Sequence, residues 1–589
     1  MYLSEIEIQN FRSFENSSIA FDKFLTALVG ENNSGKSNVI DAIRLITLPL
    51  SDRRERYCED DDVRDGTTPK AFTLKATYEN LSPGQKGLLI SAVPDLSEDI
   101  ASFGMDYIAS TKDKPRGEVS YWAGKHRLEP EHGSTDLIRH VYLPPLRDAQ
   151  RILASGNPSR ILSLLRHFLG ADGDEDQLAS ALSRQTKHET ITNINTTVGK
   201  LLKQLTVGVR AQVASLGFSE NESLNDIARD LRFRLADQGI LPEDLANSGL
   251  GFANLLFMAT ILVELEKAQE ADLTLFLVEE PEAHLHPQLQ STVLGFLLEQ
   301  AKNSRAKKIA SGKPEGHIQV IVTTHSPNMA AGVPPSHLTV IRSIQSEGTL
   351  RKKSVSIPIQ HLEIETKELN KLGRYIDVTK SSILFGQRCL LVEGIAEALL
   401  IPAIARRYVF HAEAEDDDTR AKLKRFLSIA IIPIDGVDFK PYVRILLSRY
   451  NDHCISDLVI VITDADPSVP GNRKDELEAV ANVLNSSSNL KVFDNSHTLE
   501  VDLFTAENES VLKEIYLELH TQSSVKWKTM IEDADIKKRP QAFLDILNSS
   551  RTRKGDFAQV LVSKFDCKET SIKFTPPKYL IDAINAAIE

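Results

Sequence analysis

The sequence Leu25-Thr-Ala-Leu-Val-Gly-Glu-Asn-Asn-Ser-Gly-Lys-Ser37 decides the fold of the first half of the chain. An apolar run ends at Gly30, and the residues from Gly30 to Ser37 have the spacing GxxxxGK[ST]. Apolar side chains then recur at helical spacing up to Pro49. Backbone N–H groups in such a loop can surround phosphate oxygens. The stretch therefore predicts a nucleoside-triphosphate site between a strand and a helix.

The loop residues expected to contact the nucleotide are Gly30, Asn32, Asn33, Gly35, Lys36 and Ser37. Lys36 would reach the β- and γ-phosphates, and Ser37 would ligate Mg²⁺. A second apolar strand, within LTLFLVEEPEAHLHP, delivers Glu279 and Glu280 at its carboxyl end. Glu279 would hold Mg²⁺ directly or through water, and Glu280 would orient the attacking water.

Two further segments are candidates for phosphate contact. The apolar strand in VIVTTHSP ends at His325, whose imidazole is placed to contact a γ-phosphate. The segment NSGLGFANLL sets Ser248 and Gly249 ahead of a helix. A second phosphate-contacting segment far from the loop suggests composite sites, in which this segment of one copy closes over the nucleotide of another.

A second group of acids follows later strands. CLLVEGIAEALL places Glu393 after an apolar strand and Glu397 one helical turn later, and LVIVITDADP ends a strand with Asp464 and Asp466. Four carboxylates in one pocket repel each other unless cations neutralise them. Their oxygen atoms suit Mg²⁺ or Mn²⁺, and two such ions can act on one phosphodiester.

Composition sets the frame for these sites. The 589 residues carry a net charge of −13, and the four cysteines form no CxxC pair, which disfavours zinc modules and indicates a reducing cytoplasm. No apolar run approaches the ~20 residues of a membrane span.

The expected domains are an N-terminal ATPase part, a helical insertion, a C-terminal ATPase part and a final α/β domain: residues 1–150, 151–240, 241–375 and 380–589. The segment SLNDIARDLRFRLADQG is read as part of the helical insertion, and residues 345–380 as a linker.

The first motif set resembles the ABC-type ATPase heads of the RecF, SMC and Rad50 group. IQNFRSFENSSIAF is similar to the opening strands of that group, and Arg12 matches an early arginine that helps to hold ATP. Residues 247–254 resemble the signature segment, Glu279 and Glu280 the Walker B pair, and His325 the switch histidine. Glu279 stands where many members have Asp. The insertion is too short for a Rad50-like coiled-coil arm and implies a compact dimerisation element.

The second set resembles a Toprim domain, and the whole layout is that of the overcoming-lysogenization-defect (OLD) family of nucleases, which includes the Gabija nuclease subunit. The implied fold is α/β: a RecF/SMC-like ABC ATPase head with a helical insertion, followed by a C-terminal Toprim domain. The resemblance implies two divalent metals on the Toprim acids and a C-terminal lysine near the scissile phosphate. By position Glu500, in HTLEVDLF, and Lys554, in RTRKGDFAQ, match the remaining elements, with Asp502 as a substitute for Glu500.

The favoured function is an ATP-regulated, metal-dependent endonuclease acting on double-stranded DNA in anti-phage defence. Glu393, Asp464 and Lys554 would be its catalytic residues, beside Glu280 and His325 in the ATPase. The alternative is a non-cutting DNA-repair or DNA-binding ATPase; a topoisomerase or primase would need parts that this chain does not show. Expected partners are DNA, further copies of the chain and a helicase-like or reverse-transcriptase protein. DNA would meet local basic groups, either Arg551, Arg553 and Lys554 or residues 537–539.

Overall fold

The structure is a computed structural model. It describes residues 1–50, 54, 56–111, 114–145, 161, 164–165, 168–169, 178, 189–206, 212–217, 232–237, 243–244, 250–265, 271–283, 285–307, 313–346, 351–376, 380–411, 416–465, 472–566 and 573–589. The chain divides into two compact units, Met1–His361 and Leu362–Glu589. The phosphate loop lies in the first unit, and the second group of acids lies in the second.

The first unit contains three sheets among its described residues. Its strands are β1 (Tyr2–Phe11), β2 (Phe14–Ala20), β3 (Leu25–Val29), β4 (Leu48–Pro49), β5 (Ala71–Glu79), β6 (Ile100–Ile108), β7 (Glu118–Ala123), β8 (Ile138–Leu143), β9 (Gln212–Gly217), β10 (Arg232–Asp237), β11 (Glu243–Asp244), β12 (Leu273–Glu279), β13 (His317–Thr324), β14 (Leu338–Gln345) and β15 (Lys352–Pro358). Its helices are α1 (Lys36–Ile46), α2 (Pro83–Leu88), α3 (Glu189–Leu205), α4 (Leu250–Glu264), α5 (Pro287–Ala306) and α6 (Pro327–Ala331).

The seven-stranded sheet, in the order β15-β14-β3-β13-β12-β8-β4, carries the nucleotide motifs. Its central strands β3, β13, β12 and β8 are mutually parallel, so their carboxyl ends meet at one edge. Every residue of β3 and β12 is buried, which is why both strands read as continuous apolar runs instead of alternating patterns. The five-stranded sheet β2-β1-β5-β6-β7 is antiparallel, and β1 shows the alternation of a half-buried strand.

The inserted segment is less helical than its sequence suggests. α3 is helical, but the prediction of helix in SLNDIARDLRFRLADQG is wrong for residues 232–237, which form β10 between β9 and β11. Phe233 and Leu235 are buried two residues apart, which is the period of a strand. The reading of residues 345–380 as a linker is also wrong in part, because β15 pairs with β14 in the ATPase sheet.

The second unit is built on a four-stranded parallel sheet in the order β17-β16-β18-β19. Its strands are β16 (Arg388–Val392), β17 (Ala430–Pro433), β18 (Leu458–Thr463) and β19 (Leu490–Asp494). Its helices are α7 (Thr366–Tyr375), α8 (Ile395–Ile404), α9 (Asp417–Leu427), α10 (Lys440–Leu447), α11 (Arg473–Val483), α12 (Leu499–Thr505), α13 (Glu509–Leu519), α14 (Ser524–Trp527), α15 (Arg539–Ser549), α16 (Lys554–Asp566) and α17 (Lys578–Ile588).

Helices from distant parts of the sequence complete the second unit. α8 packs against α16, and α17 contacts β16, β18 and β19, so the C-terminus covers the sheet. The division between the units falls before α7, whereas the sequence placed residues 366–375 in the ATPase part. Glu368 on α7 pairs with Arg444 on α10, which ties this helix to the second unit. None of the helices described is long and apolar enough to cross a bilayer.

Candidate nucleotide and metal sites

The phosphate loop joins the end of β3 to the start of α1, as predicted. The Lys36 side chain is buried, and its Nζ donates to the carbonyl oxygens of Gly30 (2.9 Å) and Glu31 (2.8 Å). Burial lowers the pKa of Lys36 to about 8, although Glu280 and Glu282 oppose the shift. The lysine is therefore a partly desolvated cation, which interacts with an anion more strongly than an exposed lysine does.

Two loop positions accept only glycine. Gly30 has φ +149°, and a Cβ there would lie 2.1 Å from the carbonyl oxygen of Ile341 on β14. Gly35 has φ +107°, and its Cβ would lie 2.5 Å from Ser354 Oγ on β15. Ser354 Oγ also donates to the carbonyl oxygen of Ser34 (2.6 Å), so β15 holds the loop from behind. Asn32 and Asn33 lie exposed in the same loop.

The predicted acids lie beside this loop because β12 and β3 flank β13. Ser37 Oγ donates to Glu279 Oε2 (3.3 Å), and Glu279 is almost completely buried. Burial and the neighbouring Asp41 raise the pKa of Glu279 to about 7. A carboxylate in this position, one hydrogen bond from the Ser37 hydroxyl, gives the pair the oxygen donors of a divalent-metal site.

His325 follows the end of β13 and contacts both the lysine of the phosphate loop and an acid that follows β12. Its Nδ1 lies 3.2 Å from Lys36 Nζ, and its Nε2 lies 3.3 Å from Glu280 Oε1. Burial and the Lys36 charge lower the pKa of His325, which favours the neutral imidazole at pH 7. The structure thus brings together Lys36, Glu279, Glu280 and His325.

Glu282 is a site residue that the sequence analysis missed. Its Oε1 accepts hydrogen bonds from Thr324 Oγ1 and from the backbone N–H of His325, each at 2.7 Å. Burial raises the pKa of Glu282. The side chain therefore connects the turn after β12 to the residue that contacts Lys36. Its position two residues after Glu280 was the one available signal, but only the parallel pairing of β12 and β13 shows its target.

Arg12 contacts helix α1, which begins at the end of the phosphate loop. Its guanidinium donates to Asp41 Oδ2 and Asp62 Oδ1 (2.9 Å each) and to Asn38 Oδ1 (3.1 Å). Its role in holding ATP stays a prediction. Ser248 and Gly249 lie outside the described residues, so their expected contact with a nucleotide also stays a prediction.

In the second unit the predicted acids follow adjacent parallel strands. Glu393 follows β16, and Asp464 follows β18. Glu393 Oε1 accepts hydrogen bonds from Thr463 Oγ1 (2.7 Å) and from the Asp464 backbone N–H (2.8 Å). It also accepts from Arg473 Nη1 (2.6 Å), a residue that the sequence analysis did not single out. One oxygen of Glu393 is thus fixed by protein donors, and the carboxylate has a defined orientation.

Asp464 is held by another residue that the sequence analysis missed. Asn495, directly after β19, donates from Nδ2 to Asp464 Oδ1, and the backbone N–H of Leu499 donates to the same oxygen (3.2 Å). Asn495 Oδ1 in turn accepts from the N–H of Ala465 (2.9 Å). Donors that orient ligating carboxylates in this way are typical of metal sites.

The acids act on one another electrostatically. Burial, followed by the Glu500 charge, raises the pKa of Glu397 to about 7, while Lys554 opposes the shift. Burial and the Glu393 charge raise the pKa of Asp464 to about 7. Each carboxylate therefore disfavours ionisation of its neighbours in a poorly solvated pocket.

Glu500 and Lys554, which the resemblance matched to the Toprim site, contact each other. Lys554 Nζ lies 3.0 Å from Glu500 Oε1 and 3.2 Å from Oε2, and Glu500 is buried while Lys554 is half exposed. Burial alone would lower the pKa of Lys554, but Glu500 and Asp464 raise it above its ordinary value. Asp502 instead accepts hydrogen bonds from Ser496, so of the two candidates Glu500 is the one that joins Lys554.

The donor set has the chemistry that a divalent cation requires, because it consists of hard carboxylate oxygens carrying excess negative charge. Within the part of the chain that the structure describes, no three acidic, imidazole or thiol side chains form a complete ligand group. In this structure Arg473 pairs with Glu393, and Lys554 pairs with Glu500. Asp466 lies in residues 466–471, outside the described residues.

Comparison with known proteins matches both units. A family described as an AAA ATPase domain matches residues 1–100 and 175–330, and the TOPRIM domain of overcoming-lysogenization-defect-like proteins matches residues 384–466. The chain joins an AAA ATPase domain to an OLD-like Toprim domain. The predicted fold class is confirmed, and so is the prediction of an enzyme with ATPase and Toprim domains. Glu500 and Lys554 lie beyond the matched Toprim residues.

Curated nucleases are similar to this chain over about two thirds of its length. The chain is 24% identical to the Old nuclease of Escherichia phage P2, over 69% of this chain and 70% of the relative. It is 22% identical to the endonuclease GajA of Bacillus cereus (strain HuB5-5), over 67% of this chain and 62% of the relative. A solved SMC head bound to the C-winged helix domain of ScpA aligns with 61% of this chain and 98% of its own, at 20% identity and a TM-score of 0.40.

The contacts of Glu282 predict a specific loss of ATP turnover. In Glu282→Ala the His325 backbone loses its acceptor, so the imidazole is displaced from Lys36 and Glu280. We expect ATP hydrolysis to fall at least ~10-fold while the nucleotide Kd changes by less than ~3-fold, because small displacements in an active site are costly. Steady-state ATPase assays and nucleotide titrations check this, with exposed Glu299→Ala on α5 as the control. Equal turnover in the two variants would contradict the positioning role.

The raised pKa of Glu397 predicts a pH-dependent stability in EDTA. The unfolded side chain ionises near its ordinary value of 4.5, and the folded one near 7, so the folded state binds more protons between these values. Stability should therefore fall as pH rises from 5 to 7.5. Over this range the free energy of unfolding of the wild type should fall by about 1–3 kcal/mol relative to that of Glu397→Gln.

Urea unfolding at several pH values measures this difference. Exposed Glu478→Gln on α11 is the control within the same unit, and its difference from wild type should not change with pH. If the difference in unfolding free energy between wild type and Glu397→Gln were the same at pH 5 and pH 7.5, Glu397 would ionise normally.

Proposed function

We propose that the chain is an ATP-regulated, divalent-metal-dependent DNA endonuclease that acts in anti-phage defence. The observation that carries the proposal is the group of acids at the carboxyl edge of the Toprim sheet, with Lys554 beside Glu500. The names of the relatives, a nuclease and an endonuclease, support the reaction class. The role in defence is inferred from the family resemblance, and a location in the cytoplasm from the scattered cysteines.

The residues of the Toprim unit would divide the work. Glu393, Glu397, Asp464 and Asp466 would hold Mg²⁺ or Mn²⁺, which supplies a polarised phosphate and an activated water when bound. Arg473 and Asn495 orient Glu393 and Asp464. Lys554, kept protonated by its acidic neighbours, would offset the negative charge that develops on the scissile phosphate.

The ATPase unit would sense nucleotide and control assembly. Lys36 would bind the phosphates, Ser37 and Glu279 would hold Mg²⁺, and Glu280 would orient water next to His325. In a homodimer Ser248 and Gly249 of one copy would complete the site of the other. The expectation of a helicase-like or reverse-transcriptase partner receives no support from the relatives compared and stays a prediction.

One cleavage assay separates this proposal from the non-cutting ATPase. Supercoiled and linear DNA are incubated with the full chain in Mg²⁺ or Mn²⁺, with and without ATP. We expect cutting by wild type and by Glu478→Ala, a loss of at least ~100-fold in Asp464→Ala, and in Lys36→Ala cutting that no longer responds to ATP. A wild type that hydrolyses ATP but cuts neither DNA with either metal would favour the alternative function.

A further inference from the structure

A short basic loop precedes Lys554 and lies at the edge of the Toprim site. It comprises residues 550–553, between the end of α15 and the start of α16, and we call it the arginine loop. We propose that the arginine loop binds the DNA backbone and sets the strand against the Toprim acids. This inference rests on the proposed function and adds to it the surface that receives the phosphates.

The hydroxyl side chains of the loop are fastened to the body of the unit. Ser550 Oγ lies 2.8 Å from Tyr516 Oη and accepts a hydrogen bond from Lys526 Nζ, also at 2.8 Å. Thr552 Oγ1 lies 2.8 Å from His520 Nε2. Tyr516 is fully buried and stacks near Trp527 (5.4 Å between centroids). Alternate residues of the loop are thus anchored, which fixes its backbone.

The two arginines of the loop lack such contacts. Arg551 and Arg553 are exposed, and neither side chain has an ion pair or hydrogen bond with any residue that the structure describes. Asp556, the acid closest in sequence, forms no ion pair with them in this part of the chain. Arg551 has φ +51°, a left-handed conformation at a helix end that glycine usually occupies. The loop holds two uncompensated guanidinium groups next to Lys526 and Lys554.

Residues 537–539, the second basic group considered for DNA contact, differ from the arginine loop. Arg539 Nη1 pairs with Glu509 (3.3 Å), and its Nη2 donates to the carbonyl oxygen of Glu532 (2.8 Å). This guanidinium therefore ties α15 to α13 and is not available to DNA. Lys537 and Lys538 are exposed and precede α15, whereas the arginine loop follows it, so the two lysines are a control pair of equal charge at the other end of this helix.

The position of the arginine loop gives it a function in substrate binding. Because Lys554 follows Arg553 directly and contacts Glu500, a phosphate bound by the loop is adjacent to the one that Lys554 would meet. Guanidinium groups bind phosphate oxygens with two parallel hydrogen bonds, and these contacts do not read base sequence. The loop would therefore increase affinity for any duplex and align its backbone.

The test measures binding of the full chain to two fluorescein-labelled duplexes of unrelated sequence in EDTA, by anisotropy from 50 to 200 mM salt. We expect Arg551→Ala/Arg553→Ala to raise Kd at least ~10-fold on both duplexes and to reduce the salt slope by about 2. Arg551→Lys/Arg553→Lys should recover most of the affinity, which a purely structural role would not allow. The Lys537→Ala/Lys538→Ala control should stay within ~2-fold of wild type.

Two outcomes separate this inference from the proposed function. If wild type binds and cuts DNA but the arginine and lysine pairs lower affinity equally, the arginine loop is not the binding surface and the nuclease proposal stands. If wild type neither binds nor cuts DNA under any metal condition, the proposed function fails and this inference fails with it. The thermal unfolding midpoint of each variant is also measured, and a midpoint equal to that of the wild type shows that the variant is folded.

Discussion

The structure depends on how carboxylates are stabilised at the ends of buried parallel strands. A carboxylate that leaves water loses several kcal/mol of hydration unless donors or cations replace it. Glu279 after β12 meets this requirement through Ser37 and a raised pKa. Glu393 after β16 meets it through Thr463 and Arg473. In each unit the acid is fixed at the edge of the sheet where other strands also end.

This shared constraint produces two sites of different chemistry. In the ATPase unit the buried Lys36 lies among the acids, and its lowered pKa reflects its burial in the phosphate loop. In the Toprim unit burial and neighbouring acids raise the pKa of Glu397 and of Asp464. The four acids Glu393, Glu397, Asp464 and Glu500 outnumber the two cations Arg473 and Lys554. The first arrangement suits an anionic ligand together with a divalent cation, and the second suits cations alone.

The sequence predicted the parts of each site that lie within one local motif. The loop from Gly30 to Ser37 and the acids Glu279 and Glu393 follow apolar runs whose burial on both faces makes their ends recognisable. Glu282, Arg473 and Asn495 could not be found in this way, because their targets belong to other strands and depend on sheet order and register.

The same physical reason accounts for the errors in the fold. Residues 232–237 read as helix because apolar Ile227, Leu231 and Leu235 recur every four residues in their segment, but pairing with β9 buries Phe233 and Leu235 with a period of two. Tertiary pairing overrides local periodicity in short segments. By contrast, Glu500 and Lys554 came from the family resemblance, and the structure joins them through α12 and α16.

Binding of divalent metal by the Toprim acids can be measured by electron paramagnetic resonance of free Mn²⁺ during titration of the full chain without nucleotide. We expect at least one Mn²⁺ site that is retained in Lys36→Ala and weakened about 10-fold or more in Asp464→Asn. Identical binding curves for wild type and Asp464→Asn would contradict it.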